Sequence, residues 1–493
     1  MRPGAASRSK PCEQADHGCA TNASQGPKSA WGDVVGPRAS ADSTLEMRLS
    51  GAPSGLRRDA APGRMRPALL LPLAALLAAV PAAAQAQVFT QKGFFEAKGT
   101  GYPQTTANDD TQVVGEALLR YEAAARPASW LRLNGSIDAR ADTHDQTEWD
   151  GISWSDRSLK RPGLAVRRFD ATLTRGPLTL QVGKQFVRWG KTDILNPTDR
   201  FAPRDYMTVV DSEFLGVTAA RFTAGLQSDT LDVVAARFTP SRTPLVDQRW
   251  AGLTADLENV TLTDNGAEYP GRGQFGARWN HIGPGYEFAI SGFSGNNNLP
   301  LIVSGAPQLP GGVPLPPAAS LPGNVVPAAL QVPITRAYPA MWMVGGDAAV
   351  PLPIVTLKGE AAFFGTDDSR ADQYWLYVIQ AERQSGEWMF IGGYSGEIVT
   401  TARARVAFAP DRGLTKAFLG RASYTIDTNR SVSLEGAVRQ NGDGTWLRFE
   451  YSQASGQHLR FTARATLIAG APDDFFGRYD RNSHFAVGLR YSF

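Results

Sequence analysis

The feature that most constrains the fold of this chain is a two-residue alternation of apolar and polar side chains. It is clearest in Leu131–Asp142, where it holds for twelve residues. The same alternation returns in Val355–Phe363, Ser431–Arg439 and Leu459–Ala465. A period of two predicts β-strands with one apolar and one polar face. These lengths suit tilted strands that cross a bilayer.

Periodicity alone also allows a soluble β-sandwich. After Gln87, however, the sequence has no convincing helical stripe and no long apolar run. Within hydrocarbon, only helices and closed barrels satisfy every backbone polar group. The connections, the export signal and the chain end argue for an all-β fold, a transmembrane antiparallel β-barrel.

Short and long connections alternate along the chain. Eight short turns are predicted at Arg126–Ser129, Arg175–Pro177, Gln227–Asp229, Gly283–Gly285, Pro351–Pro353, Arg383–Gly386, Asp427–Arg430 and Ala454–Gln457. Longer stretches lie between them, at Thr143–Gly163, Gly190–Gly216, Thr239–Gly273 and Gly295–Pro339. This alternation is expected of a barrel with short periplasmic turns and long external loops. The eight turns join nine strand pairs, which predicts 18 strands; 16 is the alternative.

An export signal precedes the barrel. A positive start at Met65 is followed by an apolar run, Ala68–Val80, and a small-residue site at Ala84 and Ala86. This is the order of a signal peptide, and the run is too short for a membrane-spanning helix. Cleavage should leave Gln87 first. The sequence therefore divides into a disordered extension or early start-codon assignment (1–64), a signal peptide (65–86) and the barrel (87–493).

Composition and motifs point to no catalysis or cofactor. The net charge of +3 is nearly balanced and gives no indication of nucleic acid as a partner. No histidine lies at a catalytic or metal-ligand spacing from a serine, a cysteine or a second histidine, so we expect neither an enzyme nor a metal site. Two groups are weaker candidates for metal ligands: Cys12, His17 and Cys19 in the extension lack a zinc spacing, and Asp473, Asp474 and Asp480 in the last loop could bind calcium but favour a solvated acidic loop.

The last ten residues form a strand that ends with the chain. One face carries Phe485, Val487, Leu489, Tyr491 and Phe493. This strand resembles the final strand of bacterial outer-membrane proteins, whose terminal aromatic residue is recognised by the barrel-assembly machinery. The resemblance implies an outer-membrane location, with the lipid and that machinery as partners. Tyr491 and Phe493 would suit the membrane interface in any case.

The segment 188–206 follows the fifth predicted strand and is rich in charge and proline. It resembles uncharacterised porin-like families of Gram-negative bacteria, and general porins fold the third external loop into the lumen. The resemblance implies a pore constriction, where facing charges filter solutes. An ordinary, well-packed external loop is the alternative. The candidate residues are Arg188, Lys191, Asp193, Asp199, Arg200, Arg204 and Asp205.

Two features fit the barrel pattern less well. Lys184 and Arg188 share a face with Leu180 and Val182, and a β-bulge at Gly183 would turn them inward. The stretch Gly295–Pro339 has ten prolines and reads as an extended external loop with little regular hydrogen bonding. A cover over the pore and a surface segment without a transport role both remain open.

The inferred lumen face of the last five strands is basic. It has a formal surplus of four positive charges, because only Glu435 and Glu450 oppose six arginines. A basic wall in a water-filled pore concentrates anions; alternatively, the arginines pair with acids and stiffen the wall. The six are Arg421, Arg439, Arg448, Arg460, Arg464 and Arg490.

These features predict a porin-like channel for passive or substrate-selective diffusion of small polar solutes, with anions preferred unless Asp193, Asp199 and Asp205 dominate the narrowest point. A barrel that moves hydrophobic compounds or exported polymer would instead need an apolar lumen. A structural or adhesive surface barrel is a third interpretation, and assembly into a homo-oligomer stays open. A receptor with a plug domain is disfavoured, because fewer than thirty residues separate Gln87 from the second strand.

Overall fold

The computed structural model describes residues 89–245, 248–252, 260–315, 330–403 and 409–493. The extension, the signal peptide and the cleavage residues Ala84, Ala86 and Gln87 lie outside the described residues. In chain order the strands are β1 (Phe89–Gly101), β2 (Val113–Ala128), β3 (Leu131–Asp142), β4 (Thr147–Ser153), β5 (Arg161–Arg175), β6 (Leu178–Gln185), β7 (Arg204–Asp205), β8 (Glu213–Phe214), β9 (Val217–Leu226), β10 (Asp229–Ala236), β11 (Val260–Glu268), β12 (Gln274–Gly283), β13 (Tyr286–Asn296), β14 (Leu301–Ser304), β15 (Gln308–Leu309), β16 (Val313–Pro314), β17 (Leu330–Ala337), β18 (Ala340–Pro351), β19 (Thr356–Gly365), β20 (Gln373–Ser385), β21 (Trp388–Thr401), β22 (Ala417–Thr425), β23 (Arg430–Arg439), β24 (Gly444–Ser455), β25 (Leu459–Gly470) and β26 (His484–Ser492). A short helix spans Pro410–Gly413, and a 3-10 helix spans Gly477–Asn482. None of the helices among these residues is long and apolar enough to span a membrane.

Eighteen of these strands form a closed antiparallel barrel. The barrel closes where β1 pairs with β26, from Phe94 opposite Ser492 to Gly101 opposite Phe485. The last residue extends this closure, because the backbone groups of Phe493 and Gly93 exchange two hydrogen bonds of 2.9 Å. The predicted fold class and the count of 18 strands are confirmed, and the alternative of 16 is not.

The two rims of the barrel differ in the length of their connections. Eight connections of two to four residues lie on the rim that also holds both ends of the described barrel. They fall at the eight predicted turns, where residues such as Gly176 (φ +57°) supply the left-handed backbone of a tight reversal. The opposite rim bears the long loops. We call the first the short-turn rim and the second the long-loop rim.

The two faces of the wall separate apolar from polar side chains. On β3, Leu133 and Ile137 point outward and are 43% and 44% exposed, whereas the intervening Ser136 and Asp138 point inward and are buried. The same outward exposure of large apolar side chains occurs on the other strands, for example at Phe169, Ile379 and Leu467. An apolar belt of this extent is unsuited to water and suits the hydrocarbon of a bilayer.

The wall is irregular where β6 ends. β6 has only eight residues, and the chain leaves the wall after Gln185. β4 pairs in parallel with β5 from Thr147 opposite Arg161 to Ser153 opposite Ala165, on the edge that β6 does not cover. The Trp154 indole then donates to the Thr218 hydroxyl of β9 (3.0 Å). β4 therefore repairs the wall where β6 is too short.

The long-loop rim also has a small sheet, formed by β11, β14, β15, β16 and β17. β17 lies between β11, to which it is parallel, and β14 and β15, to which it is antiparallel. The expectation of an extended loop with little regular hydrogen bonding across Gly295–Pro339 is therefore wrong for its described residues, and residues 316–329 lie outside the described part of the chain. The strand forms because Leu330–Ala337 contains a single proline, Pro333, and can form hydrogen bonds on both edges.

Candidate functional site: a loop folded into the lumen

The chain between β6 and β9, residues 186–216, folds into the lumen; we call it the inner loop. Its contacts are with inward-facing side chains of strands around the barrel, including Glu360 on β19, Arg448 on β24 and Arg140 on β3. It contains a short hairpin, in which β7 pairs with β8. The structure thus places this segment inside the barrel; its role as a pore constriction stays a prediction.

The inner loop is anchored on Glu360, which is 3% exposed. One carboxylate oxygen of Glu360 accepts hydrogen bonds from the backbone N–H (2.7 Å) and hydroxyl (2.9 Å) of Thr198. The other accepts from the backbone N–H groups of Lys191 (3.0 Å) and Thr192 (3.3 Å) and from the Thr192 hydroxyl (2.9 Å). The loop can approach this closely because Gly190 has φ +89°, and a Cβ there would lie 2.6 Å from the carboxylate.

An apolar cluster surrounds this anchor. Trp189 and Phe201 of the inner loop pack edge to face, with ring centroids 5.2 Å apart, and Phe201 packs in the same way on Phe293 of β13. The Trp189 indole N–H donates to Asp232 of β10 (3.0 Å). Aromatic pairs of this kind bury large areas in one defined geometry. Together with Glu360, they fix one side of the loop to the wall.

Two predicted constriction residues attach the loop near the anchor. Lys191 forms ion pairs with Glu287 and, at 3.9 Å, with Asp347. Asp193 accepts from Lys358 (3.1 Å) and also bonds to the Gln380 amide. Both side chains are used in attachment rather than left free in the lumen.

Three others, Arg188, Asp199 and Arg204, come together within the loop. Arg188 donates to Asp199 (2.7 Å), and the guanidinium groups of Arg188 and Arg204 lie 3.7 Å and 4.0 Å from the centroid of the Phe214 ring. Burial lowers the pKa of Arg188 to about 10, although Asp199 opposes the shift. Arg188 is thus inside the barrel.

Lys184, in contrast, is outside the lumen. The pairing of β6 with β5 has no register shift at Gly183, although Gly183 has φ +127°, so the bulge that would turn Lys184 inward does not form. Its ammonium group is 1% exposed beneath the loop after β4, where it bonds to the Trp154 carbonyl (2.7 Å) and Asp156 (2.5 Å). A covering loop, rather than a bulge, lets this lysine remain on the outer face.

The last two predicted residues attach the loop elsewhere. Arg200 pairs with Asp411 (3.5 Å) on the long-loop rim. Asp205 pairs with Arg161 of β5 (3.1 Å) and with Arg242 (2.6 Å). Burial alone would raise the pKa of Asp205, but the two guanidinium groups outweigh it and hold this pKa well below its usual range.

Two carboxylates beyond the segment 188–206 also hold the loop to the wall and were not predicted from the sequence. Asp211 pairs with Arg464 (2.8 Å) and Arg448 (3.4 Å), and Glu213 pairs with Arg140 (2.7 Å) and Arg120 (3.3 Å). Their partners lie far away in sequence, so no local motif marks them. We call residues 211–213 the acidic tip.

All six arginines of the predicted basic wall face the lumen, and most are paired. Arg421 and Arg448 share Glu435, Arg464 holds Glu450, Arg490 holds Glu96, and Arg439 holds Asp474, all within 3 Å. Within the described part of the chain, Arg460 has a hydroxyl partner, Ser452 (3.0 Å), and no carboxylate. The positive surplus is therefore smaller than the sequence count, because Glu96, Asp211 and Asp474 also contribute.

The outward face of β26 carries Phe485, Val487, Leu489, Tyr491 and Phe493, each at least 39% exposed. Asp474, weighed above as a calcium ligand, is instead buried and bonded to Arg439 and to the backbone N–H of Phe476. Among the described residues no cluster of His, Cys, Asp and Glu could hold a metal ion.

Comparison with known proteins gave no matching family model and no matching curated protein. Among solved structures, the chain is similar to a BenF-like porin from Pseudomonas fluorescens Pf-5, with 10% identity and a TM-score of 0.47, covering 82% of this chain and 97% of that chain. It is also similar to OccAB4 from Acinetobacter baumannii (11% identity, TM-score 0.46, 83% and 100% covered) and to OccK11 (OpdR) from Pseudomonas aeruginosa (8%, 0.42, 82% and 95%). The barrel architecture rests on the strand register of this chain itself.

Proposed function

We propose that this protein is an outer-membrane channel through which small polar solutes diffuse, and that the inner loop narrows its lumen. The observation that carries the proposal is a closed 18-strand wall, apolar outside and charged inside, with a loop anchored across its interior. A barrel of this size encloses a water-filled lumen unless protein fills it. Charged groups at a narrow point then select solutes by size and charge.

The balance of lumen charges supports a channel rather than a carrier of hydrophobic compounds. Apolar side chains such as Phe293, Met343 and Leu376 face inward, but they are buried in the cluster around Trp189 and Phe201 of the inner loop. The surface that remains is lined by ion pairs such as Arg421 with Glu435 and Arg464 with Glu450. A water-filled path along paired charges suits polar solutes.

Anion preference is the finer part of the proposal, and Arg460 is the residue that tests it. Arg460 lies opposite Arg490 in the β25–β26 pair and has no carboxylate partner within the described residues. A surplus guanidinium at the pore wall raises the local concentration of anions, and salt screens this effect over about 10 Å at 0.1 M.

Planar-bilayer recordings in a potassium chloride gradient test both parts. The wild type should give stepwise conductance with a reversal potential that favours chloride, and Arg460→Gln should reduce that preference. Arg383→Gln is the matched control, because Arg383 lies on the outward face near the short-turn rim. The absence of conductance would reject the channel. Cation selectivity, or an unchanged potential in Arg460→Gln, would reject only the anion preference.

We also propose that the outward aromatic strand β26 is the signal that the assembly machinery reads. Phe493 supports this, because its side chain lies on the membrane-facing surface at the short-turn rim, beside Gly93. Its small share of the outer belt makes a large effect on the finished fold unexpected.

A further inference from the structure

The two sides of the inner loop are held by different interactions. The anchored side uses a buried carboxylate and an aromatic cluster. The acidic tip instead contacts the wall through two ion-paired side chains, Asp211 and Glu213, which are 37% and 46% exposed. Exposed ion pairs are individually weak, because water and salt compete with them. A dissolved ion can therefore compete with the tip for its arginine partners.

Each tip carboxylate lies between two arginines on neighbouring strands. Asp211 lies between Arg448 of β24 and Arg464 of β25. Glu213 lies between Arg120 of β2 and Arg140 of β3. Paired guanidinium groups are the side chains best suited to bind a carboxylate, because they offer several N–H donors in a fixed plane.

The wall carboxylates do not neutralise these arginines by themselves. Arg120 and Arg140 share one wall carboxylate, Asp138, at 2.7 Å and 3.2 Å. Arg421, Arg448 and Arg464 share two, Glu435 and Glu450. Each of these two sets of arginines thus outnumbers its wall carboxylates by one. Glu213 neutralises the extra positive charge of the first set, and Asp211 neutralises that of the second.

The pKa values of the tip agree with this arrangement. The Glu213 side chain is partly exposed but lies inside the barrel, where the surrounding protein would raise its pKa; Arg140 and Arg120 outweigh this effect and hold the pKa below its usual range. The same holds for Asp211 beside Arg464 and Arg448. Both side chains are therefore anions at neutral pH. Asp211 and Arg464 also border a pocket between the inner loop and β1, β2 and β26.

We propose that Asp211 and Glu213 are tethered occupants of two carboxylate-binding sites in the lumen, and that carboxylate solutes compete with them and release the acidic tip. This inference rests on the proposed function. It adds that the pore binds carboxylate solutes and that the acidic tip competes with them for the same arginines. Short flexible tethers give effective concentrations of roughly millimolar order. Competition should therefore occur at millimolar solute.

The experiment uses a single cysteine as a reporter of the tip. The barrel segment has no cysteine, because the chain's two cysteines are Cys12 and Cys19. Ser212→Cys, in protein that begins at Gln87 and is reconstituted in vesicles, is labelled with a thiol reagent in the presence of succinate, of glycerol, or of potassium chloride at the ionic strength of the succinate sample. Succinate should raise the labelling rate at least ~10-fold, with its midpoint at millimolar concentration. Glycerol and matched potassium chloride should not.

Two variants separate displacement from a purely structural role. Asp211→Asn with Glu213→Gln should label quickly without succinate and respond to it no further. In bilayers, this variant should bind succinate at least ~10-fold more tightly than the wild type, measured as current block. Asp193→Asn is the matched control, since Asp193 is also an inner-loop carboxylate paired with a wall cation, Lys358, and it should retain the succinate response.

The outcomes are distinguishable. If labelling is insensitive to succinate, or if matched potassium chloride acts equally, the tip is not a displaceable occupant and the inference is overturned. If succinate blocks the current of the double variant at the same concentration as that of the wild type, the inference also fails, while the conductance itself still supports a channel. If labelling responds as expected but no conductance is seen, the competitor is supported and the channel function is rejected.

Discussion

Replacement of Glu360 by glutamine perturbs the anchor of the inner loop without changing its shape. The carboxylate accepts hydrogen bonds at both oxygens, two from Thr198 and three from Lys191 and Thr192. Glutamine keeps one acceptor oxygen and places an NH₂ group at the other position. That group cannot accept, so it faces the donors of one of the two sets.

The magnitude follows from the donors that lose an acceptor. In the better orientation of the glutamine amide, its oxygen accepts hydrogen bonds from Lys191 and Thr192, and its NH₂ group faces the backbone N–H and hydroxyl of Thr198. The hydroxyl can rotate and accept, but the N–H cannot. One buried donor without a partner costs about 1–3 kcal/mol, and the loss of the charged acceptor weakens the remaining bonds by a similar amount. A total of about 2–6 kcal/mol corresponds to a roughly 30- to 20,000-fold rise in loop opening.

A thiol at position 202 reports that opening. Ala202 lies in the inner loop beside Phe201 and is 9% exposed, and Ala202→Cys adds only one sulfur atom. In protein that begins at Gln87, this is the one cysteine. The labelling rate in the Glu360→Gln background should exceed the rate in Glu360 protein by the factor given above.

Asp170→Asn is the matched control. Asp170 is also a buried wall carboxylate, but it bonds to Asn134, Arg168 and Gln181, all outside the inner loop. Labelling at position 202 should not change in this variant. Equal labelling rates in Glu360→Gln and Glu360 protein, or an equal rise in Asp170→Asn, would refute the view that Glu360 specifically holds the loop.

Four further outcomes are expected. N-terminal sequencing of the membrane-inserted protein should begin at Gln87; a start upstream of the apolar run would contradict the cleavage site. Deletion of Phe493 should lower the amount of heat-modifiable barrel in the membrane, and unchanged assembly would mean that the chain end is not read. The pKa of Glu213 is lowered in the folded protein, so its ion pairs with Arg120 and Arg140 are complete above the ordinary carboxylate pKa of about 4.3. They are lost only as the pH falls through the lowered pKa. Conductance should therefore be the same at about pH 7 and pH 5, and a transition between these pH values would contradict the ion pairs. Lys184→Met should speed thermal unfolding, because loss of one partner of a buried ion pair costs about 3–5 kcal/mol. The cost is smaller here, because Arg242 also pairs with Asp156 (3.4 Å). An unchanged unfolding rate would show that the covering loop does not depend on this lysine.

The barrel could be predicted from sequence because its determinants are local. Alternation along Leu131–Asp142 decides which side chains face lipid, and turn-forming residues such as those around Gly285 mark each reversal. Eight such turns were enough to count the strands. The segment that folds into the lumen was indicated only by its resemblance to porin-like families, and an ordinary external loop stayed open as the alternative.

The attachments of that segment could not be predicted, because they depend on pairs far apart in the chain. Glu360 meets Thr198 across 162 residues, and Asp211 meets Arg464 across 253. No spacing rule connects such positions. The position of Lys184 could not be predicted for the same reason, since its place on the outer face depends on Trp154 and Asp156 in a different loop.

The single-channel conductance of purified, heat-modifiable protein in planar bilayers tests the central claim most directly. A closed barrel with a polar, loop-narrowed lumen should insert in uniform steps of current in potassium chloride, and the step size should increase when Glu360→Gln releases the inner loop. Correctly folded protein that gives no steps, or steps that are unchanged by Glu360→Gln even though position 202 becomes accessible, would contradict a lumen whose width the inner loop sets.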